Sequence, residues 1–308
     1  MKKRFYILWL LLLSIAIEAF PQSMTISGGN DHGVVICASG YLYTWGVNKD
    51  DKGQKSNLLG LAPDNPKVNA AYVDKPEPVN VSSSAFTEGL TFSQVTAGSG
   101  AHNLALSCYS VVYAWGDNED GQCGQEATAG VVVTSPMPVL KGETIGYNED
   151  GTPGGDYLGG VVYVTASTSA SFAILEDSKV VAWGGCNNDA TCWTDGIIYE
   201  PIYVKDAKGN PIEGAVHIAA GDDNCYIRTE DGLLYSIGPW NGRGETGLLY
   251  ADLVRIWDED NADVGEPLSG IKMSAASDGA GYAVTEDGFV WSWGNDGWGC
   301  QTATQLEY

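Results

Sequence analysis

Five copies of one hairpin-sized unit, a turn signal within each, and no helix of comparable periodicity predict an all-β fold, a β-propeller of four-stranded antiparallel blades. The first copy is SGGNDHGVVICASGYLYTWG, ending at Trp45 and Gly46, and the second is AGSGAHNLALSCYSVVYAWG, ending at Trp115 and Gly116. ASTSASFAILEDSKVVAWG ends at Trp183 and Gly184. AAGDDNCYIRTEDGLLYSIG places Ile237 where the others have tryptophan, and AASDGAGYAVTEDGFVWSWG ends at Trp293 and Gly294. From Gly46 to Gly116, Gly184, Gly238 and Gly294 the intervals are 70, 68, 54 and 56 residues. A constant core at variable spacing means loops of variable length on a repeated frame.

Within each copy a small-residue turn leads into an apolar strand such as Asn103 to Leu106, then a polar turn, then a strand of aromatic and β-branched residues. Glu230-Asp231-Gly232 and Glu286-Asp287-Gly288 are the plainest turns: glycine takes the positive φ a tight hairpin needs, and aspartate tolerates the geometry beside it. Phe92 to Thr96, Val161 to Thr165 and Val216 to Ala219 run directly into the next small-residue turn and supply a further strand. A fourth strand begins at Pro78-Val79, Pro138-Val139 and Pro201-Ile202, where proline suits an edge. Four strands repeated about an axis bury both faces of each sheet, so Trp45, Trp115, Trp183 and Trp293 read as wedges between blades rather than as ligand contacts. Residues 20–308 thus form one repeat domain of about five blades. On this reading the first copy lacks an upstream strand pair and none follows the fifth. The expectation is therefore an incomplete ring whose open sheet edges favour self-association, with a closed five-blade ring as the alternative.

The order small-Gly-x-x-His, apolar strand, Asp-Gly, second strand, Trp-Gly, Asx and Gly-Gln resembles the repeat of the regulator of chromosome condensation family. The second copy continues WGDNEDGQCG, close to that family's WGxNxxGQLG, and the likeness runs over nearly all of residues 25–302. It implies the propeller fold, commonly of seven blades. For function it implies only a range: exchange factors for a small nuclear GTPase, membrane-associated regulators, and secreted propellers including an enzyme inhibitor. The histidine position holds His32 and His102 but then Ala170, Asn224 and Ala280, and the Gly-Gln element decays after the second copy. Histidine therefore reads as a packing and hydrogen-bonding device near the inner strand, and no exchange-factor residue carries over.

Lys2, Lys3 and Arg4 precede an apolar run from Phe5 to Ala16, which reads as a secretory signal cut after Ala19, with a retained anchor as the alternative; no later segment offers a membrane span. The chain is thus expected to be secreted or held in the cell envelope. Its net charge is −23, and losing Lys2, Lys3, Arg4 and Glu18 makes it −25, which disfavours a phosphate-binding surface, so no nucleic-acid partner is expected. Seven cysteines in an exported chain allow at most three internal disulfides; Cys186 with Cys192 is the best local pair, while Cys37 and Cys225 read as small buried hydrophobes. No structural metal and no cofactor is expected.

For chemistry the chain offers His32, His102 and His217, the last in a predicted outer strand, and no phosphate loop or nucleophile elbow. Ser269 and Lys272 have Ser-x-x-Lys spacing without a partner motif. Asp258, Asp260 and Asp263, and then Asp117 to Asp120, are the densest acidic loops; they read as solvated rather than calcium-binding. No catalytic residue is assigned. Trp193, Trp240 and Trp298 each follow a blade's Trp-Gly position or its Ile237-Gly238 equivalent, so their loops share one face and are the candidate contacts for a protein or glycan partner. The expected function is a non-catalytic interaction module. The alternatives are a propeller-type enzyme inhibitor and a secreted carbohydrate-active enzyme using acidic loop residues.

Overall fold

The computed structural model describes residues 25–50, 53–81, 89–125, 131–185, 197–222, 224–237, 250–256, 265–277, 280–294 and 304–305. Blade one is β1 (Ile26–Gly28), β2 (His32–Ile36), β3 (Leu42–Val47) and β4 (Tyr72–Pro78). Blade two is β5 (Phe92–Ala97), β6 (His102–Ser107), β7 (Val112–Gly116) and β8 (Val133–Pro138), followed by a small hairpin of β9 (Gly146–Tyr147) and β10 (Tyr157–Leu158). Blade three is β11 (Val161–Ala166), β12 (Ala170–Leu175), β13 (Val180–Gly184) and β14 (Ile198–Tyr203). After the two-residue β15 (Lys205–Asp206), blade four is β16 (Ala215–Ala220), β17 (Cys225–Thr229), β18 (Leu234–Ile237) and β19 (Tyr250–Leu253). Blade five is β20 (Ile271–Ser277), β21 (Ala280–Thr285), β22 (Val290–Gly294) and β23 (Thr304–Gln305). In every blade the four strands pair antiparallel in sequence order.

The first strands of successive blades pack on one another, β1 on β5, β5 on β11, β11 on β16 and β16 on β20, so they line the inner side and the fourth strands lie outermost. Two sequence expectations change as a result. His217 lies in β16, an inner strand, not an outer one, because the strand that runs into each small-residue turn is the one facing the neighbouring blades. The prolines do sit on edge strands, but Pro78 and Pro138 end them and Pro201 lies within one, since the strand is formed by the residues before the proline, whose N–H groups can still donate. Nor is the first blade short of a strand. Ile26–Gly28 supplies its inner strand and every blade takes its fourth strand from downstream, down to Thr304–Gln305 in blade five.

The tryptophan wedges are where the repeat predicts them. Trp115 and Trp183 are wholly buried, and each reaches the preceding blade: a Cβ on Gly60 would sit 2.7 Å from the Trp115 ring, and the Trp183 indole N–H donates to the Gln122 carbonyl at 3.0 Å. Ile237 fills the corresponding position in blade four, also fully buried. The asparagine after Trp-Gly has a job as well, since its side-chain oxygen accepts from Leu59 N–H at Asn48 (3.1 Å) and from Cys123 N–H at Asn118 (2.9 Å), folding each loop back under its blade.

The same register positions are open at the two ends. Leu104 and Phe172 are fully buried, whereas Tyr282, at the equivalent site of blade five, is 42% exposed. Tyr113 and Trp115 are fully buried, whereas Tyr43 and Trp45 of blade one are half-buried. The outward faces of the first and last blades are thus solvent-facing. Internal blade contacts are tight: a Cβ on Gly100 would lie 1.9 Å from the Thr168 carbonyl oxygen of blade three. Gly100→Ala is expected to cost about 1–3 kcal/mol, read as a lower urea midpoint at unchanged slope.

Candidate functional site

The polar residues between the blades come first, because they hold two of the three histidines. His32 Nε2 lies 3.1 Å from Asn103 Oδ1 of the next blade, and His102 Nε2 lies 3.1 Å from Ser171 Oγ of the blade after. Both residues face the glycine of their own Trp-Gly pair across the hairpin, Gly46 and Gly116. At the same place in blade four, the Asn224 amide, oriented to satisfy both neighbours, donates to the Ser277 carbonyl and accepts from Ala280 N–H. Blade three carries Ala170 there, and the link to blade four is made instead by the Tyr163 hydroxyl donating to the Ile218 carbonyl at 3.1 Å. Burial pushes the His102 imidazole down to about 3 and lowers His32 as well, so both are neutral structural groups shut away from any substrate. His217 is pushed down to about 4 by burial and then by Arg228; its ring stacks at a tilt 5.5 Å from Tyr163.

The acidic run at Asp117 is not simply solvated. Lys55 of blade one lies 2.7 Å from Asp117 and 2.5 Å from Glu119, so these carboxylates tie two blades' loops together. Cys225 is fully buried as expected, but Cys37 lies just past β2, half-buried, with its thiol 3.0 Å from Ser39 Oγ. Trp193, Trp240 and Trp298 lie outside the described residues, as do Cys186, Cys192, Asp258, Asp260, Asp263 and residues 1–24. The described strands flanking those three tryptophans are in each case the third and fourth of a blade.

A concave site among the described residues lies where the hairpin of β9 and β10 leans on blade three. Its cavity is about 180 Å³. It is lined by Thr144, Ile145 and Tyr147 from the hairpin and by Leu175, Glu176 and Asp177 of the β12–β13 turn together with Tyr203 of β14. The floor is Gly159-Gly160, which must be glycine: a Cβ on Gly159 would meet the Tyr147 ring at 2.4 Å, and Gly160 has φ +63°. The hairpin is fastened across the blade boundary. Glu143 N–H donates to the Pro201 carbonyl at 2.9 Å, Tyr203 N–H donates to a Glu143 carboxylate oxygen at 3.3 Å, and Glu176 N–H donates to the Gly160 carbonyl at 2.8 Å.

Electrostatically the groove is acidic. Burial, and next the Asp177 carboxylate, push the Tyr203 phenol above its ordinary value, with Glu143 adding to the shift and Lys179 opposing it. Lys179 pairs with Asp177 at 2.7 Å, and Lys141 lies 3.6 Å from Asp156. Ile145 stands at the rim, 70% exposed. None of the sequence candidates falls here. The available signal was the stretch from Lys141 to Gly160, where Tyr147 and Tyr157 flank the turn sequence Asn148-Glu149-Asp150-Gly151 inside one of the two longest repeat intervals.

Comparison with known proteins places this frame. No protein-family model matches the chain. The regulator of chromosome condensation of Mus musculus is 28% identical over 158 residues, which are 51% of this chain and 32% of that protein. The chain is similar to the regulator of chromosome condensation repeat family in its repeats and in its propeller fold. Protein pim1 of Schizosaccharomyces pombe is 26% identical to this repeat propeller over 233 residues, 71% of the chain and 37% of pim1, so the chain spans well under half the length of that relative. Prp20p of Saccharomyces cerevisiae superposes with a TM-score of 0.59 at 19% identity, over 91% of this propeller and 62% of that chain. At that identity the superposition speaks for the fold alone.

Proposed function

We propose that this repeat propeller is a non-catalytic interaction module that holds a protein partner in the groove between the β9–β10 hairpin and blade three. The observation that carries the reading is that groove itself: a rigid concave surface with exposed Ile145 at its rim, built from a connection that departs from the repeat while the blades around it keep it. Loops on a fixed scaffold are where binding residues concentrate. The family range is consistent with this, since the structure of Prp20p is described together with its binding to Gsp1p and histones. Two histidines are consumed by blade-to-blade packing, which leaves them no part in acid–base work.

A photo-crosslinking residue at position 145 is expected to capture a discrete protein partner, while the same residue at Tyr72, also well exposed and on the outer strand of blade one, captures none. Equal capture at both positions, or turnover of a glycan panel that vanishes on neutralising Glu176 and Asp177, would overturn the reading. The exported location belongs to the same proposal and is supported by Lys2-Lys3-Arg4 before the apolar run. N-terminal sequencing of protein recovered from outside the producing cell is expected to begin at Phe20; a chain retained inside and beginning at Met1 contradicts it.

A further inference from the structure

We propose that the groove takes a cationic side chain, an arginine or lysine presented by the protein partner beside an apolar residue. This rests on the reading of the chain as a protein-binding module and names the chemistry it holds. A cavity of about 180 Å³ admits a single long side chain, since a site of about 150 Å³ already holds a benzene-sized group. Its walls pair Glu176 and Asp177 with the tyrosine rings of Tyr147 and Tyr203. Carboxylates with aromatic faces are what a guanidinium or ammonium recognises, through charge-assisted hydrogen bonds and attraction to the ring quadrupole.

The charge balance favours the same occupant. Of the lysines at the groove, Lys179 is engaged by Asp177 and Lys141 lies nearest Asp156, while no cation of the described residues pairs with Glu176. The Tyr203 phenol is raised first by burial and then by the Asp177 carboxylate beside it, and the whole chain carries −23, which draws a cationic partner in and turns an acidic one away. Ile145, at the rim and 70% exposed, matches an apolar neighbour of the cation in the partner's sequence. Because the hairpin and the residues beside it are bonded to blade three at Pro201, Tyr203 and Glu176, the groove is formed before the partner arrives.

The test is calorimetric titration of the full chain with a capped pentapeptide carrying a central arginine between leucines, against the same peptide with neutral citrulline at the centre. The arginine peptide is expected to bind at least fivefold more tightly than the citrulline peptide. That preference is expected to disappear in the Glu176→Gln/Asp177→Asn variant and in Thr144→Trp, whose indole fills the groove. It is expected to persist in Asp64→Asn/Glu266→Gln, which removes the same charge from distant exposed positions. Thermal melting of each variant confirms that the blades remain folded. Equal affinity for both peptides, or equal loss in the distant variant, overturns the cation assignment, and cellohexaose binding that is blocked by Thr144→Trp but indifferent to Glu176→Gln/Asp177→Asn replaces it with a sugar. Capture at position 145 that survives Glu176→Gln/Asp177→Asn leaves the interaction module standing and removes only the cation, whereas loss of both capture and peptide binding in the unmodified groove removes both.

Discussion

Trp183→Ala is expected to lower the unfolding free energy by about 3–5 kcal/mol, the range for deleting a buried large aromatic. Trp183 is fully buried and spans the boundary between blades two and three, with its N–H on the Gln122 carbonyl and Gly124 against its ring. The Gln122 carbonyl keeps a second donor, the Ser171 hydroxyl at 2.8 Å, so the loss arises mainly from the cavity and not from an orphaned acceptor. It shares one core with fully buried Leu104, Val139, Ala173 and Val181 of blades two and three, which leave little room to collapse. Trp45→Ala should cost clearly less, because that ring is half-buried on the open face of blade one. Urea unfolding at unchanged slope measures both. A Trp183→Ala loss below about 1 kcal/mol, or equal losses at the two positions, would show that the tryptophans do not wedge the blades together.

Acid is expected to destabilise the fold from about pH 6.5 downward, well above the range where carboxylates titrate. His102 and His217 have folded-state values lowered to about 3 and about 4 from an ordinary 6.5, so in this interval the unfolded chain binds protons that the folded chain refuses. Their stabilisation is fully present above pH 6.5 and is lost as pH falls toward those lowered values. The slope approaches about 1.4 kcal/mol per pH unit for each histidine. Asp74, Asp150 and Asp206, held below the usual carboxylate range by hydrogen bonds, add loss of the same sign at lower pH. His102→Asn copies what the chain itself places at Asn224, and should flatten the pH 6.5–4 segment by one histidine's share. An unchanged slope in that variant would mean that His102 is not buried neutral.

Much of the fold was legible because blades repeat. A single hairpin of the Glu230-Asp231-Gly232 kind is weak evidence, but five in phase, four ending in Trp-Gly and one in Ile237-Gly238, fix strand order, and the structure follows them to within a residue or two at His102–Ser107 and Val112–Gly116. The fourth strand lies on the other side of its proline from the sequence expectation, because proline marks an edge without saying on which side the strand lies; Pro78 and Pro138 are ends, not beginnings. His217 was misplaced for a related reason: alternation tells which face a side chain takes and not whether the strand lies inside or outside. The groove was not legible at all. Glu143, Tyr147, Glu176 and Tyr203 are far apart in sequence, and what joins them is the docking of one hairpin on the next blade through backbone groups that any residue carries. A tryptophan in a loop attracts notice from sequence, while two half-buried tyrosines over a pair of glycines do not.

The most direct test of the interaction module is hydrogen–deuterium exchange of the full chain, alone and with the protein captured at position 145. The groove reading predicts slowed exchange confined to residues 143–147, 157–160, 175–179 and 202–204. Slowed exchange in 186–196, 238–249 and 295–303, with those groove segments unchanged, would contradict it and return the binding surface to the segments that carry Trp193, Trp240 and Trp298.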